Sequence, residues 1–139
     1  MEKFIFKEKT EAQLKAKYYK RETRSLNGFK NFDDFKSWYI EKDKKCRYCK
    51  ISESEVQEIV VLGLLKSKRF PENGRTSQGR ARGMWLEVDR FNPNEKYSRE
   101  NCVLACYFCN NDKSDVFVGS EYLDFYQNRA QFLKNLIKN

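Results

Sequence analysis

Residues 86–117, LEVDRFNPNEKYSRENCVLACYFCNNDKSDVF, decide how this chain is organised. From Trp85 to Phe91 apolar and polar residues alternate as in a half-buried strand. Asn92-Pro-Asn94 breaks the alternation, because proline has no N–H to give a ladder and asparagine favours turns. Cys102-Val-Leu-Ala-Cys106 predicts a second short strand, and a helix is expected to start near Cys109. The stretch therefore reads as strand, loop, strand, helix.

Working outward, the cysteines tie this unit to a more distant segment. Four of the five fall into two C-x-x-C pairs, Cys46-Arg-Tyr-Cys49 and Cys106-Tyr-Phe-Cys109, with 56 residues between them. Each pair can grip one metal from a tight turn, and the fold brings the two turns together. The chain has no histidine, so the site has to be all-cysteine, which suits structural zinc on Cys46, Cys49, Cys106 and Cys109. Four thiolates leave no open position, so this metal staples the fold and does no chemistry. A disulfide framework is the competing reading, and it needs an oxidising compartment that nothing here indicates. A redox C-x-x-C lacks the βαβ pattern that normally precedes it. Cys102 is left over and reads as a small buried hydrophobe.

A chain of 139 residues makes one domain the default. Eleven Phe, eight Tyr and two Trp are enough for a core. No apolar run approaches a membrane span, and the N-terminus lacks the apolar stretch of a signal peptide. The absence of histidine also excludes Ser-His and Cys-His dyads. The net charge of +8 is concentrated. Residues 1–30 carry nine Lys/Arg against four Asp/Glu, and residues 66–84 carry six basic residues against Glu72 alone. Either segment could be a solubilising surface, but two flanking a candidate site favour a polyanion partner. Helices are expected around 8–24 and after Asn31, with Phe32, Phe35, Trp38 and Tyr39 on one face. Another should follow the capping box Ser52-x-x-Glu55 into VQEIVVLGLL, an apolar run that reads as a buried helix. Residues 66–83 read as a long loop, functional or mobile. A last helix, Ser120 to about Lys138, puts Tyr122, Phe125, Tyr126, Leu133, Leu136 and Ile137 on one stripe.

Residues 86–117 resemble the HNH, or ββα-metal, nuclease motif in its zinc-framed form. Val88-Asp89-Arg90 ends the first strand, Asn101 precedes the second, and Asn110 follows Cys109 at the helix start. The likeness covers roughly residues 32–122 and extends to restriction enzymes of that family. It implies an α+β fold, a ββα-metal hairpin stapled by a four-cysteine zinc site and surrounded by helices. The single domain 1–139 then divides into a basic helical region 1–45, the nuclease core 46–118 with basic loop 66–84, and an amphipathic helix 119–139. It further implies that Asp89 and Asn110 ligate a catalytic divalent cation, Mg²⁺ or Mn²⁺, since a carboxylate and an amide form a hard-oxygen site. Asn101 would hold the loop in shape, while Arg90 and Lys113 would meet phosphate charge.

One departure matters. Typical HNH enzymes carry a general-base histidine at position 90, and arginine stays protonated. Tyr97 could act as base or nucleophile, the cation could activate water without a dedicated base, or the site could be inactive. The favoured expectation is a restriction-like endonuclease for double-stranded DNA, and its rival is an inactive zinc-stabilised nucleic-acid-binding module. The basic helix and loop, with Lys66, Lys68, Arg69, Arg75, Arg80 and Arg82, would track the backbone, and Arg75, Arg80 and Arg82 are candidates for base contacts. A homodimer and a cytoplasmic location, prokaryotic or phage-encoded, complete the expectation.

Overall fold

Each of the first three helices begins where a side chain can satisfy the orphan amides of its first turn. The computed structural model describes residues 4–127. Helix α1 (Glu11–Thr23) starts at a capping box: Gln13 N donates to Thr10 Oγ1 at 3.2 Å, and Thr10 N donates to Gln13 Oε1 at 2.8 Å. Helix α2 (Phe32–Glu41) is capped by Asn31, whose Oδ1 accepts from Asp34 N at 2.9 Å. Helix α3 (Glu53–Val61) repeats the box with Ser52 and Glu55. The core lies between α1 and α2, where Tyr18, Phe29, Phe35 and Trp38 meet ring against ring.

The apolar run after Ser52 departs from its expected form. Only its first part is helical, because Gly63 takes φ +65° and ends the turn. Leu62, Leu64 and Leu65 are left exposed rather than buried. The basic loop that follows is more ordered than its composition implies. Phe70 and Met84 pack with Val60 and Tyr107 into a small second core. Asn73 and Gly74, both at positive φ, turn the chain so that Glu72 pairs with Arg75. Gly83 sits at φ +96°, where a Cβ would lie 2.8 Å from the Phe70 ring.

The hairpin forms with shorter strands than the alternation predicts. Strand β1 (Glu87–Arg90) pairs antiparallel with β2 (Cys102–Ala105), with Asp89 opposite Val103 and Arg90 opposite Cys102. Helix α4 (Tyr107–Lys113) follows at once, starting two residues earlier than expected, with Cys106 as its N-cap. Gly119 N donates to Phe91 O at 2.7 Å, leading into α5 (Gly119–Gln127), which buries Tyr122. Leu133, Leu136 and Ile137 of the expected stripe lie outside the described residues. The architecture is α+β, a two-stranded hairpin among helices. No described helix is long and apolar enough to cross a membrane.

Candidate metal centre and basic cleft

The two C-x-x-C turns are built differently and meet at one point. In the first, Cys46 N donates to Ile51 O and Lys50 N to Cys46 O, with Lys50 at φ +69°, while Arg47 N docks the turn onto Leu104 O of β2. In the second, Cys109 N donates to Cys106 Sγ at 3.4 Å, so the thiol does the work of a serine cap. All four sulfurs lie within 4.8 Å of one another, and Cys49 Sγ is 3.8 Å from Cys106 Sγ. Tetrahedral zinc with Zn–S bonds of about 2.3 Å needs sulfur–sulfur edges of about 3.8 Å. The cluster therefore fits a structural zinc. Cys102 stays apart from it, and burial pushes the pKa of its thiol up to about 12.

Side chains alternate along a strand, so Glu87 and Asp89 share a face of β1, and α4 lies against that face. Asp89 is buried there. Tyr48, one of the two residues between Cys46 and Cys49, donates its hydroxyl to Asp89 Oδ2 at 2.6 Å. Lys113 Nζ lies 3.3 Å from Asp89 Oδ1 and donates to Arg90 O at 2.9 Å. Burial raises the Asp89 carboxyl above its ordinary range, while Tyr48 and Lys113 act against that shift. Burial, with Asp89 beside it, raises the Tyr48 phenol. At the other end of the seam, Asn110 Nδ2 donates to Glu87 Oε1 at 2.8 Å, leaving the amide oxygen as its donor atom toward a cation. Glu87 in turn receives both arms of the Arg82 fork, at 3.0 and 2.6 Å. The donors along this seam are hard oxygens, a set suited to a divalent cation of the Mg²⁺ or Mn²⁺ type.

Beside the seam runs a cleft of about 490 Å³ between α1 and the hairpin, bordered by Arg82, Glu87, Tyr97 and Asn110. Tyr97 N donates to Leu26 O at 2.9 Å, tying the loop between the strands to the end of α1. Its ring lies 4.4 Å from the Arg21 guanidinium and 5.0 Å from that of Arg90. Arg90 also reaches Glu95 O at 3.3 Å. Asn101 lies in the turn, accepting from Asn92 N at 2.9 Å and donating to Asn92 O and Lys96 O, both at 3.0 Å.

The structure thus brings Asp89 to Lys113, Arg90 to Tyr97, and Asn110 to Glu87, all on the hairpin and α4. Lys113 departs from its expected part: with a side-chain exposure of 0%, it holds Asp89 and does not face the cleft. Three loop arginines are engaged with protein groups. Arg69 donates to Tyr107 Oη, Arg80 pairs with Glu72, and Arg82 pairs with Glu87. Lys66 and Lys68 border a separate hollow of about 700 Å³, and Arg75 is exposed. Sequence reasoning did not single out Tyr48 or Glu87. The signal for Tyr48 was its place inside the zinc turn, and for Glu87 its i−2 spacing from Asp89 on one strand face.

No family model matches the chain, and no curated protein matches it. Among solved structures, the chain is similar to the rare-cutting HNH restriction endonuclease PacI, at 26% identity and a TM-score of 0.60, over 82% of this chain and 72% of that one. With the four-cysteine cluster, this likeness supports nuclease function in general, and the fold of this chain is HNH-like.

Proposed function

We propose that the chain is a divalent-metal-dependent DNA endonuclease, restriction-like, with Arg90 where HNH enzymes carry a general-base histidine. The observation that carries this reading is the seam itself: a buried carboxylate on β1 and, on α4 of an HNH-like fold, an amide that borders a basic cleft. Asp89 and Asn110 would hold Mg²⁺ or Mn²⁺, which when bound supplies charge neutralisation at the scissile phosphate and acidifies a water. Arg90, permanently cationic, neutralises phosphate charge as the transition state forms. Lys113 and Tyr48 hold the Asp89 carboxylate in place, and Asn101 holds the loop that carries Tyr97. One phenol, Tyr97 at the cleft, can take the proton of the attacking water, whereas Tyr48 donates its own hydroxyl to Asp89. Lys66, Lys68 and Arg75 are open to backbone contacts, and Arg80 and Arg82 reach bases only after leaving their carboxylates. A homodimer would cut both strands of a palindromic site, and light scattering in solution tests that state.

A second reading, an inactive DNA-binding module, is favoured by one observation: both Asp89 oxygens already have partners. Zinc-loaded protein incubated with plasmid and phage DNA, with Mg²⁺ or Mn²⁺, separates the two. The endonuclease gives discrete fragments that vanish in Asp89→Asn while DNA binding survives. Intact DNA of varied composition under every condition would leave only the binding module.

A further inference from the structure

Six basic side chains and one acid border the cleft. Lys17, Lys20, Arg21 and Arg24 follow one another at i, i+3, i+4 and i+7 along α1 and its C-cap, which puts them on one stripe. All four border the cleft, as do Lys9 and Arg82. Among the described residues Glu87 is the one acid on its wall, and Glu87 is already held by Arg82 and Asn110. Arg21 supplies an independent sign. Its Nη1 is buried with no hydrogen-bond partner among the described residues, even though its guanidinium stacks on Tyr97. An unsatisfied buried guanidinium nitrogen is costly unless a ligand meets it. Burial and the neighbouring Lys17 bring the pKa of Lys9 down to about 8, and burial with Lys20 beside it lowers that of Lys17 as well.

We propose that this stripe of α1 is a phosphate clamp, in which Lys17, Lys20, Arg21 and Arg24 grip the backbone of the DNA strand that lies across β1 and Asn110. The proposal rests on the nuclease reading above and specifies how that substrate is held. Phosphodiesters fit because they offer several anionic oxygens in a row along a stripe, as a single carboxylate does not. The clamp positions the strand without reading sequence. Arg21 has a double part, since the guanidinium that meets phosphate also lies on the ring of Tyr97.

The test compares two triple variants with equal loss of charge. Lys17→Gln/Lys20→Gln/Arg24→Gln strips the clamp, and Lys30→Gln/Lys45→Gln/Lys50→Gln removes three exposed lysines elsewhere. Affinity for a labelled duplex is followed by fluorescence anisotropy against NaCl, with Ca²⁺ as the divalent ion. Zinc content and circular dichroism confirm that both variants are folded. Each lost phosphate contact flattens the log–log salt dependence by about 0.9. The clamp variant is therefore expected to lose about 2 to 3 in slope, and the control less than about 1. Equal losses in the two variants would overturn the clamp. If wild type cuts DNA with Mg²⁺ and the clamp variant keeps the wild-type slope, the clamp falls and the endonuclease stands. If the slope difference is present but no DNA is cut, the clamp stands and the endonuclease falls.

Discussion

Removing Asp89 should damage the fold as well as the chemistry. Its partner Lys113 is fully buried, with Arg90 O as its other acceptor at 2.9 Å. Asp89→Ala leaves an ammonium inside the protein without a counter-charge, a change that costs about 3–5 kcal/mol in comparable buried pairs. It also leaves the Tyr48 hydroxyl without its acceptor, worth about 1–3 kcal/mol more if no other partner is found. A domain of this size has about 5–15 kcal/mol in total, so the variant sits near its folding threshold. Asp89→Asn keeps an oxygen for Tyr48 or Lys113 and is the better variant for activity assays. The measurement is a double-mutant cycle of Asp89→Ala, Lys113→Met and both together. Urea unfolding, at saturating zinc, is followed by the fluorescence of Trp38 and Trp85. With a slope of about 2 kcal/mol per molar urea, a loss of about 4 kcal/mol moves the midpoint down by about 2 M. The double variant should recover about 2–3 kcal/mol relative to the sum of the singles. An Asp89→Ala midpoint close to that of wild type would refute the buried pair, as would strict additivity.

Three further outcomes are expected. Native mass spectrometry should find one zinc per chain, lost in Cys109→Ser together with amide protection at β1 and α4, since metal and folding free energies are linked; a zinc-free variant with wild-type protection there would refute the staple. Glu53 is buried with Oε1 accepting from Leu86 N at 3.1 Å, and burial raises its carboxyl above 4.5. Because the folded pKa lies above the unfolded one, Glu53 stabilises the fold below the unfolded pKa, and that contribution is lost as pH rises through the folded pKa. Glu53→Gln, which keeps the acceptor, should therefore gain on wild type as pH rises above about 4.5, and a pH-independent difference in urea midpoints would contradict this. For the proton acceptor, Tyr97→Phe is compared with wild type in cleavage rate at equal zinc content. If Tyr97 is the base, its loss should cost at least about 100-fold, and a silent variant would assign activation to a metal-bound water alone.

Local features were legible and long-range partnerships were not. The Asn31 cap, the Ser52–Glu55 box, the paired cysteines and the Asn-Pro-Asn break all act over a few residues, so composition and spacing expose them. The run VQEIVVLGLL misled because apolar character alone says nothing about where a helix stops. The decisive residue was Gly63, whose positive φ ends the turn and leaves Leu64 at 66% exposure. Lys113 was illegible for a different reason. A lysine on a short polar helix reads as solvated, and what buries it is a carboxylate 24 positions earlier. Tyr48 depends likewise on Asp89, 41 positions away.

These long-range pairs explain why the structural metal and the candidate site belong to one unit. Tyr48 lies between two of the zinc cysteines, and the turn that presents it is docked on β2 by Arg47 N. Asn110 directly follows the last zinc cysteine, on a helix whose N-cap is itself a zinc ligand. The four sulfurs therefore set the position of the phenol on one oxygen of Asp89 and of the helix that carries both Asn110 and Lys113. A zinc held by four thiolates would keep no open position for chemistry, yet a shift of either turn moves a group that touches Asp89 or Glu87. Partial loss of zinc should accordingly disturb the seam first, because the cysteine turns themselves present Tyr48 and Asn110, whereas Phe29, Phe35 and Trp38 also pack on one another. Amide exchange during slow chelation separates the two regions: protection at β1 and α4 should fall first, and simultaneous loss in α2 would mean that the staple supports the whole domain equally.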